Sequence, residues 1–285
     1  LHTTSLDPET IIKDDGLRIL RLVRFACDFQ LTPSPSLLQC AITYVHLLKD
    51  IAKERLYQEL EKILTSDLRY PNHVPGLFPV EKGLALLSQI GCFPYLFPSS
   101  NISCAGEKLA GTYVMEDQKL FPHRLCLLMW TNPCENIQKD LYTIRAPKKM
   151  VSLVLSLTKA LQTFPSFPIT QNSHPQVNWW MVSQGKEIVL QIPPLLRAIG
   201  LEEHACFLSF LIKEFDKNLL PWTIADMAVN GHSLLPFLKG ASPRLIGTVI
   251  AALHREVVEE KLPNQKDALL CAGKKMIFNL TVAGD

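Results

Sequence analysis

The sequence has little of what would tie a chain to a membrane, a metal or a covalent framework. Its 285 residues carry a formal net charge of only +2, from 29 Lys and Arg against 27 Asp and Glu. That balance neither demands nor excludes nucleic acid, so any basic site has to be local. No apolar run approaches the roughly 20 residues that cross a bilayer, and no secretory leader is present. The chain opens on Leu1 rather than Met, as expected of a fragment or a processed form. The eight cysteines include no Cys-x-x-Cys, which removes the zinc-ribbon and redox-pair spacings. The eight histidines (2, 46, 73, 123, 174, 204, 232, 254) stand singly, as surface or core residues rather than ligands. Alternating strand patterns, hairpin turns between apolar runs and repeats of fixed period are all missing.

What remains is helical periodicity in a chain that is 47% hydrophobic. Asp7-Pro8-Glu9 is a helix-start signal, and one helix is predicted over Asp14–Phe29. Ser34 or Ser36 caps a second through "SPSLLQCAITYVHLLKDI", and "AKERLYQELEKILTS" and "VEKGLALLSQIG" follow, the latter closed by Gly91. Further helices are expected at Pro122–Trp130, Cys134–Thr143, Lys148–Phe164, Trp179–Leu190, Pro193–Ile199, Leu201–Asn218, Pro243–Glu260 and Asp267–Leu280. Residues 98–122 and 163–176 read as loops. The fold class is therefore all-α and multi-helical. Cysteines inside apolar helical pattern read as reduced, buried thiols of a cytoplasmic protein.

One stretch departs from ordinary amphipathic pattern. In "DDGLRILRLVRF", Asp15, Arg18, Arg21 and Arg24 recur every third residue. Three-residue steps retreat by about 60° around a helix, so the four form a slanting polar ribbon. Ile19, Leu20, Val23, Ala26 and Cys27 fall on the opposite half. The plain reading is a solvated face with an Asp14–Arg18 pair at i,i+4. Three arginines with few acids beside them suit phosphate better, because guanidinium presents a fixed fork of donors. A carboxylate beside a guanidinium also complements a base edge with an amino donor next to a ring-nitrogen acceptor, as in cytosine and adenine. Guanine and uracil present the reverse pattern.

"LDPETIIKDDGLRILRLVRFACDFQ" resembles the neck of the bacterial class II tRNA nucleotidyltransferases, the CCA-adding enzymes and their poly(A) polymerase relatives. The resemblance implies that Asp15 and Arg18 template incoming CTP or ATP, and that Arg21 and Arg24 contact the bound nucleotide. It also places Arg55, Glu59 and Lys62 of "KERLYQELEKIL" in an Arg-x3-Glu-x2-Lys motif that supports the neck. "GLALLSQIGCFPYLFPS" is similar to a body segment of the family. Asp226, Asn230-Gly231 and Leu262-Pro263-Asn264 are similar to landmarks of its tail. The implied organisation is a neck at 1–70, a helical body at 71–165 and a tRNA-binding tail at 166–285.

The family transfers nucleotides with two metal-binding carboxylates, and magnesium is the expected ion. No G-x-x-x-D-x-D stretch is present to hold it, so neither a catalytic nor a metal residue is expected here, and the catalytic head is expected to be absent. Some relatives carry a His-Asp doublet in the body, where this sequence has Trp130-Thr131, which cannot ligate a metal. The implied partners are the tRNA 3′ end, CTP and ATP, with no membrane and no DNA. The implied function is the RNA-binding and nucleotide-selecting part of an enzyme adding CCA or A to RNA 3′ ends. A non-catalytic helical RNA-binding module derived from the family is the alternative, and a metal phosphohydrolase is the least favoured reading. "RAPKKM" (145–150) and "GKKM" (273–276) are basic clusters, and Trp179-Trp180 could stack on a base or sit in the core.

Overall fold

A computed structural model describes residues 7–69, 78–113, 120–165, 174–238 and 244–282. Helices dominate, and no strand occurs among the described residues, in keeping with the all-α expectation. The chain divides into two compact units, Leu1–Gln162 and Thr163–Asp285.

The first unit contains α1 (Pro8–Asp14), α2 (Arg18–Asp28), α3 (Pro35–Thr43), α4 (Lys53–Leu64), α5 (Ser66–Arg69) and α6 (Pro79–Ile90). It continues with α7 (Phe93–Leu96), α8 (Cys104–Thr112), α9 (Leu120–Met129), α10 (Cys134–Thr143) and α11 (Lys148–Thr163). Asp7 caps α1 by accepting from the Glu9 and Thr10 amides, and Ser34 caps α3 by accepting from Leu37 N. The apolar half of α2 is its core face: Ile19, Leu20, Val23, Ala26 and Cys27 have no accessible surface. It packs on α4, which contributes the fully buried Leu56, Leu60, Ile63 and Leu64, and on α6. Complete burial of each such aliphatic side chain is worth about 1.5–3 kcal/mol. The α2–α6 contact is close because Gly83 has no side chain. A Cβ there would stand 2.4 Å from Cys27 Sγ and 2.9 Å from Ile63 Cγ2.

Arg124 is the least expected member of this core. It lies inside α9 with no exposed surface. It donates to the Leu64 carbonyl at 2.6 Å and the Tyr113 carbonyl at 2.8 Å, and forks onto both carboxylate oxygens of Asp67. The buried guanidinium thus ties α9 to the end of α4, to α5 and to the end of α8.

Several element boundaries differ from the sequence reading. The predicted Asp14–Phe29 helix is broken at Asp15–Leu17, and α3 stops at Thr43 before a 3-10 turn over Val45–Asp50. Within the expected 98–122 loop lies α8, capped by Ser103, and α9 begins at Leu120. Residues 114–119 of that stretch, and 166–173 of the other expected loop, lie outside the described residues.

The second unit contains α12 (His174–Gln184), α13 (Lys186–Val189), α14 (Ile192–Ala198), α15 (Glu202–Lys217), α16 (Gly231–Leu234), α17 (Arg244–Val258) and α18 (Lys266–Val282). The predicted Trp179–Leu190 helix is two pieces, split at Gly185, whose φ of +85 no helix accommodates. Trp180 is buried and stacks edge-on against Phe164, while Trp179 is half-buried under the Arg255 guanidinium. Met227, Val229, Leu234, Val249, Leu253, Leu269 and Ile277 form part of one core in this unit. Asn264 staples it: its carbonyl oxygen accepts from Ala228 N at 2.8 Å and its amide donates to Asp226 O at 3.1 Å.

Candidate functional site

The site is built around the turn that separates α1 from α2. Asp15 is extended (φ −147°, ψ 102°), outside both helices. Its Oδ1 accepts from Leu17 N at 3.1 Å and its carbonyl accepts from Arg18 N at 3.0 Å, so it acts as the entry to α2. Gly16 passes so close to Leu47 that an added Cβ would stand 2.8 Å from Leu47 Cβ. The expectation of one continuous ribbon from Asp15 is therefore corrected. Arg18, Arg21 and Arg24 share a helix, and Asp15 is brought beside them by a turn.

Each arginine has a different degree of commitment. Arg18 donates to the Ile11 carbonyl at 2.8 Å and pairs with Asp14 at 2.9 Å. Arg24 is mostly buried, lies 3.1 Å from Glu59 Oε2 and 3.9 Å from Asp28, and rests on the Phe25 ring. The Arg21 N–H donates to the Leu17 carbonyl at 3.1 Å, and its side-chain charge acts on the Asp15 carboxyl without a close ion pair to any described residue.

The Arg-x3-Glu-x2-Lys residues of α4 interlock with these groups. Arg55 Nη2 donates to Asp15 Oδ2 at 3.0 Å. Glu59, almost fully buried, accepts from Arg24, and Lys62 Nζ lies 3.2 Å from its Oε1. Burial acts to raise the Asp15 carboxyl, but the Leu17 amide and the Arg55 guanidinium outweigh it and hold the group below its ordinary value.

Arg18, Arg21, Arg24, Glu59 and Lys62 line one cavity of about 450 Å³. Ile11, Ile12, Leu22, Phe25 and Leu37 complete its wall. The lining thus combines cationic and apolar groups, a combination that accommodates a ligand with an anionic tail and a flat, weakly polar head. Asp15 and Arg55 stand beside the cavity rather than in its wall. The sequence pattern missed the apolar wall, because Ile11, Ile12 and Leu37 come from α1 and α3. It also missed Asp28 and Arg69, which pair at 2.6 Å beneath Arg24, although the i,i+4 spacing of Arg24 and Asp28 was visible.

Residues 124–272, more than half the chain, match the family model of tRNA nucleotidyltransferase domain 2. The chain belongs to the tRNA nucleotidyltransferases. Among curated members of the family, the CCA-adding enzyme of Levilactobacillus brevis is 27% identical over 268 residues, covering 93% of this chain and 62% of that protein. The CC-adding tRNA nucleotidyltransferase of Halalkalibacterium halodurans is 23% identical, covering 93% and 64%. This tRNA nucleotidyltransferase chain therefore spans somewhat under two thirds of the length of such relatives. In fold it is similar to the crystal structure of the Bacillus stearothermophilus CCA-adding enzyme in complex with CTP. That match has a TM-score of 0.72 at 22% identity, over 99% of this chain and 66% of the other.

Elsewhere the structure holds less chemistry. No group of three or more His, Cys, Asp or Glu converges as a metal site among the described residues. Arg145, Lys148 and Lys149 are exposed, as are Lys274 and Lys275. The expectation of generally buried thiols needs correction. Cys27, Cys92 and Cys126 are buried, Cys40 and Cys134 are intermediate, and Cys104, Cys206 and Cys271 are exposed, because they fall on the outer faces of α8, α15 and α18. No helix among the described residues is long and apolar enough to cross a membrane.

Proposed function

We propose that this chain is the nucleotide-selecting and RNA-holding part of an RNA 3′-end nucleotidyltransferase, with CTP and ATP as its nucleotides and the tRNA 3′ end as its polymer partner. The neck is assigned to residues 1–70, the body to 71–165 and the tail to 166–285. One observation carries the reading: three arginines of α2 line a single cavity while a carboxylate, Asp15, is held by Leu17 N and Arg55 in the turn that leads into α2.

Selection follows from donor and acceptor counts. Asp15 uses one contact on each oxygen, to Leu17 N and to Arg55, and each oxygen retains a second lone pair. Arg18 has committed Nη1 and Nη2 to Ile11 and Asp14, and its remaining N–H groups are available. A base edge with an exocyclic amine beside an unprotonated ring nitrogen satisfies both groups. A carbonyl beside an N–H faces the carboxylate with an acceptor and the guanidinium with a donor, leaving polar groups unpaired. Cytosine and adenine pass this test, whereas guanine and uracil fail it.

Nucleotidyl transfer also calls for a divalent-metal pair held by carboxylates, with magnesium the expected ion. The described residues do not fit that group, and no step is assigned to them through it.

Equilibrium binding of CTP, ATP, GTP and UTP to the 285-residue chain tests the reading. CTP and ATP are expected to bind at least roughly tenfold more tightly than GTP and UTP, and Arg18→Ala to weaken both together. Equal affinity for all four nucleotides would overturn it.

A further inference from the structure

We propose that Arg69 of α5, which lies outside the cavity wall, is a positioning residue. By holding Asp28 it keeps that carboxylate off Arg24, and so leaves the Arg24 guanidinium on Glu59 in the wall. The inference rests on the nucleotide-binding reading above and adds to it a residue that touches no ligand.

Arg24 stands near two buried carboxylates that compete for it. Glu59 of α4 lines the cavity with it, whereas Asp28, the last residue of α2, does not. Arg24 Nη1 lies 3.1 Å from Glu59 Oε2 and donates to Oε1 at 3.3 Å. Its Nε lies 3.9 Å from Asp28 Oδ2, beyond hydrogen-bond reach, and that N–H is buried without an acceptor. The guanidinium is therefore engaged with the carboxylate of the wall and keeps an unused donor near the other one.

Asp28 is held by a different cation. Its Oδ1 accepts from Arg69 Nη2 at 2.6 Å, a short charge-assisted bond. The same Nη2 donates to the Lys62 carbonyl at 2.7 Å, which fixes the Arg69 head at the last turn of α4. Asp28 keeps only 3% of its side-chain surface, and a carboxylate so buried is costly without a cation. Arg24 is at hand, with its unused Nε–H. Removing the Arg69 charge therefore draws the Arg24 guanidinium toward Asp28, at the expense of its contact with Glu59 and its place in the wall. The pairing runs from α5 through Asp28 to α2, across 41 residues of sequence.

The test combines calorimetric binding of CTP with the NMR resonance of the Arg24 Nε–H, identified by its loss in Arg24→Lys. Both are measured in the 285-residue chain and its variants. Arg69→Met is expected to weaken CTP about fivefold or more and to move the resonance downfield, as the Nε–H gains an acceptor. The double variant Asp28→Asn, Arg69→Met is expected to return both to nearly the parent values, because no carboxylate remains to compete for Arg24. A merely structural role for Arg69 would give no such rescue. Arg69→Gln, which keeps a donor for the Lys62 carbonyl without the charge, should behave like Arg69→Met and serves if that variant is unfolded by thermal denaturation. An unmoved Arg24 resonance in folded Arg69 variants overturns the proposal, and so does a loss of CTP affinity that the double variant fails to restore. If the parent chain binds no nucleotide while the resonance still moves and returns, the hold of Arg69 on Arg24 stands and the nucleotide-binding reading alone fails.

Discussion

Arg55 Nη2 donates to Asp15 Oδ2 at 3.0 Å, joining the first turn of α4 to the turn between α1 and α2 across 40 residues of sequence. Together with Leu17 N on Oδ1 at 3.1 Å, it holds both oxygens of one carboxylate. A side chain held at both ends has lost its rotational freedom before any ligand arrives, and the interactions it can accept are correspondingly selective.

Removing Arg55 should therefore affect selection more than stability. Arg55 is 46% exposed, and a surface ion pair of this kind contributes less than about 1 kcal/mol. Arg55→Met is expected to leave the urea midpoint nearly unchanged while the preference for CTP over UTP shrinks several-fold. Parallel denaturation and binding curves check this, and a retained preference would show that Asp15 is oriented without its partner.

The Asp15 carboxyl is held below its ordinary value in the folded protein. The stability it contributes is therefore present above its unfolded-state pKa, near 3.9, and is lost as pH falls through the lower folded value. Asp15→Asn removes that contribution. The difference in unfolding free energy between the parent and Asp15→Asn should be constant from about pH 7 to 5 and shrink below about pH 4. Denaturant titrations across this range measure it, and an undiminished gap at pH 3 would contradict the assignment.

Arg124 should be the most sensitive charged position in the first unit. Its guanidinium is fully buried and shares two hydrogen bonds with Asp67, besides two backbone carbonyls. Arg124→Met leaves those acceptors without a donor, and the expected loss is about 3 kcal/mol or more, read from urea unfolding. Lys149→Met, at an exposed position in α11, should change stability by under about 0.5 kcal/mol and serves as the control.

The cysteines should divide by burial. Burial pushes the Cys27 and Cys126 thiols up to about 12, and Cys92 is raised in the same way. Thiolate is the reactive form, so these three are expected to resist a thiol reagent in the native protein. Cys104, Cys206 and Cys271 are exposed and should label first. Peptide mapping after brief labelling distinguishes the two groups, with all eight modified once the chain is unfolded.

Local pattern made much of this molecule legible. The 3.6-residue period of Ile19, Leu20, Val23, Ala26 and Cys27 marked the buried half of α2, and Asp7 and Ser34 announced helix starts through short-range side-chain caps. Such features depend on residues within one or two turns of one another, which is the range over which sequence spacing and spatial distance agree. Boundaries were less legible where a neighbour from far along the chain decided them. At the break over Asp15–Leu17, Gly16 passes close to Leu47, and α8 forms within a stretch whose Ser and Asn content reads as loop.

The sequence by itself determined the all-helical class, the three arginines at three-residue spacing and the family to which the chain belongs. The tertiary structure decided which of those charges are already matched. Arg18, Arg24 and Asp15 are engaged by Asp14, Glu59 and Arg55, whereas Arg21 acts on Asp15 without a close ion pair and Lys62 shares a carboxylate that Arg24 already holds. The physical reason is that ion pairing acts over a few ångströms of space, while Arg24 and Glu59 lie 35 residues apart in the chain and Asp15 and Arg55 lie 40 apart.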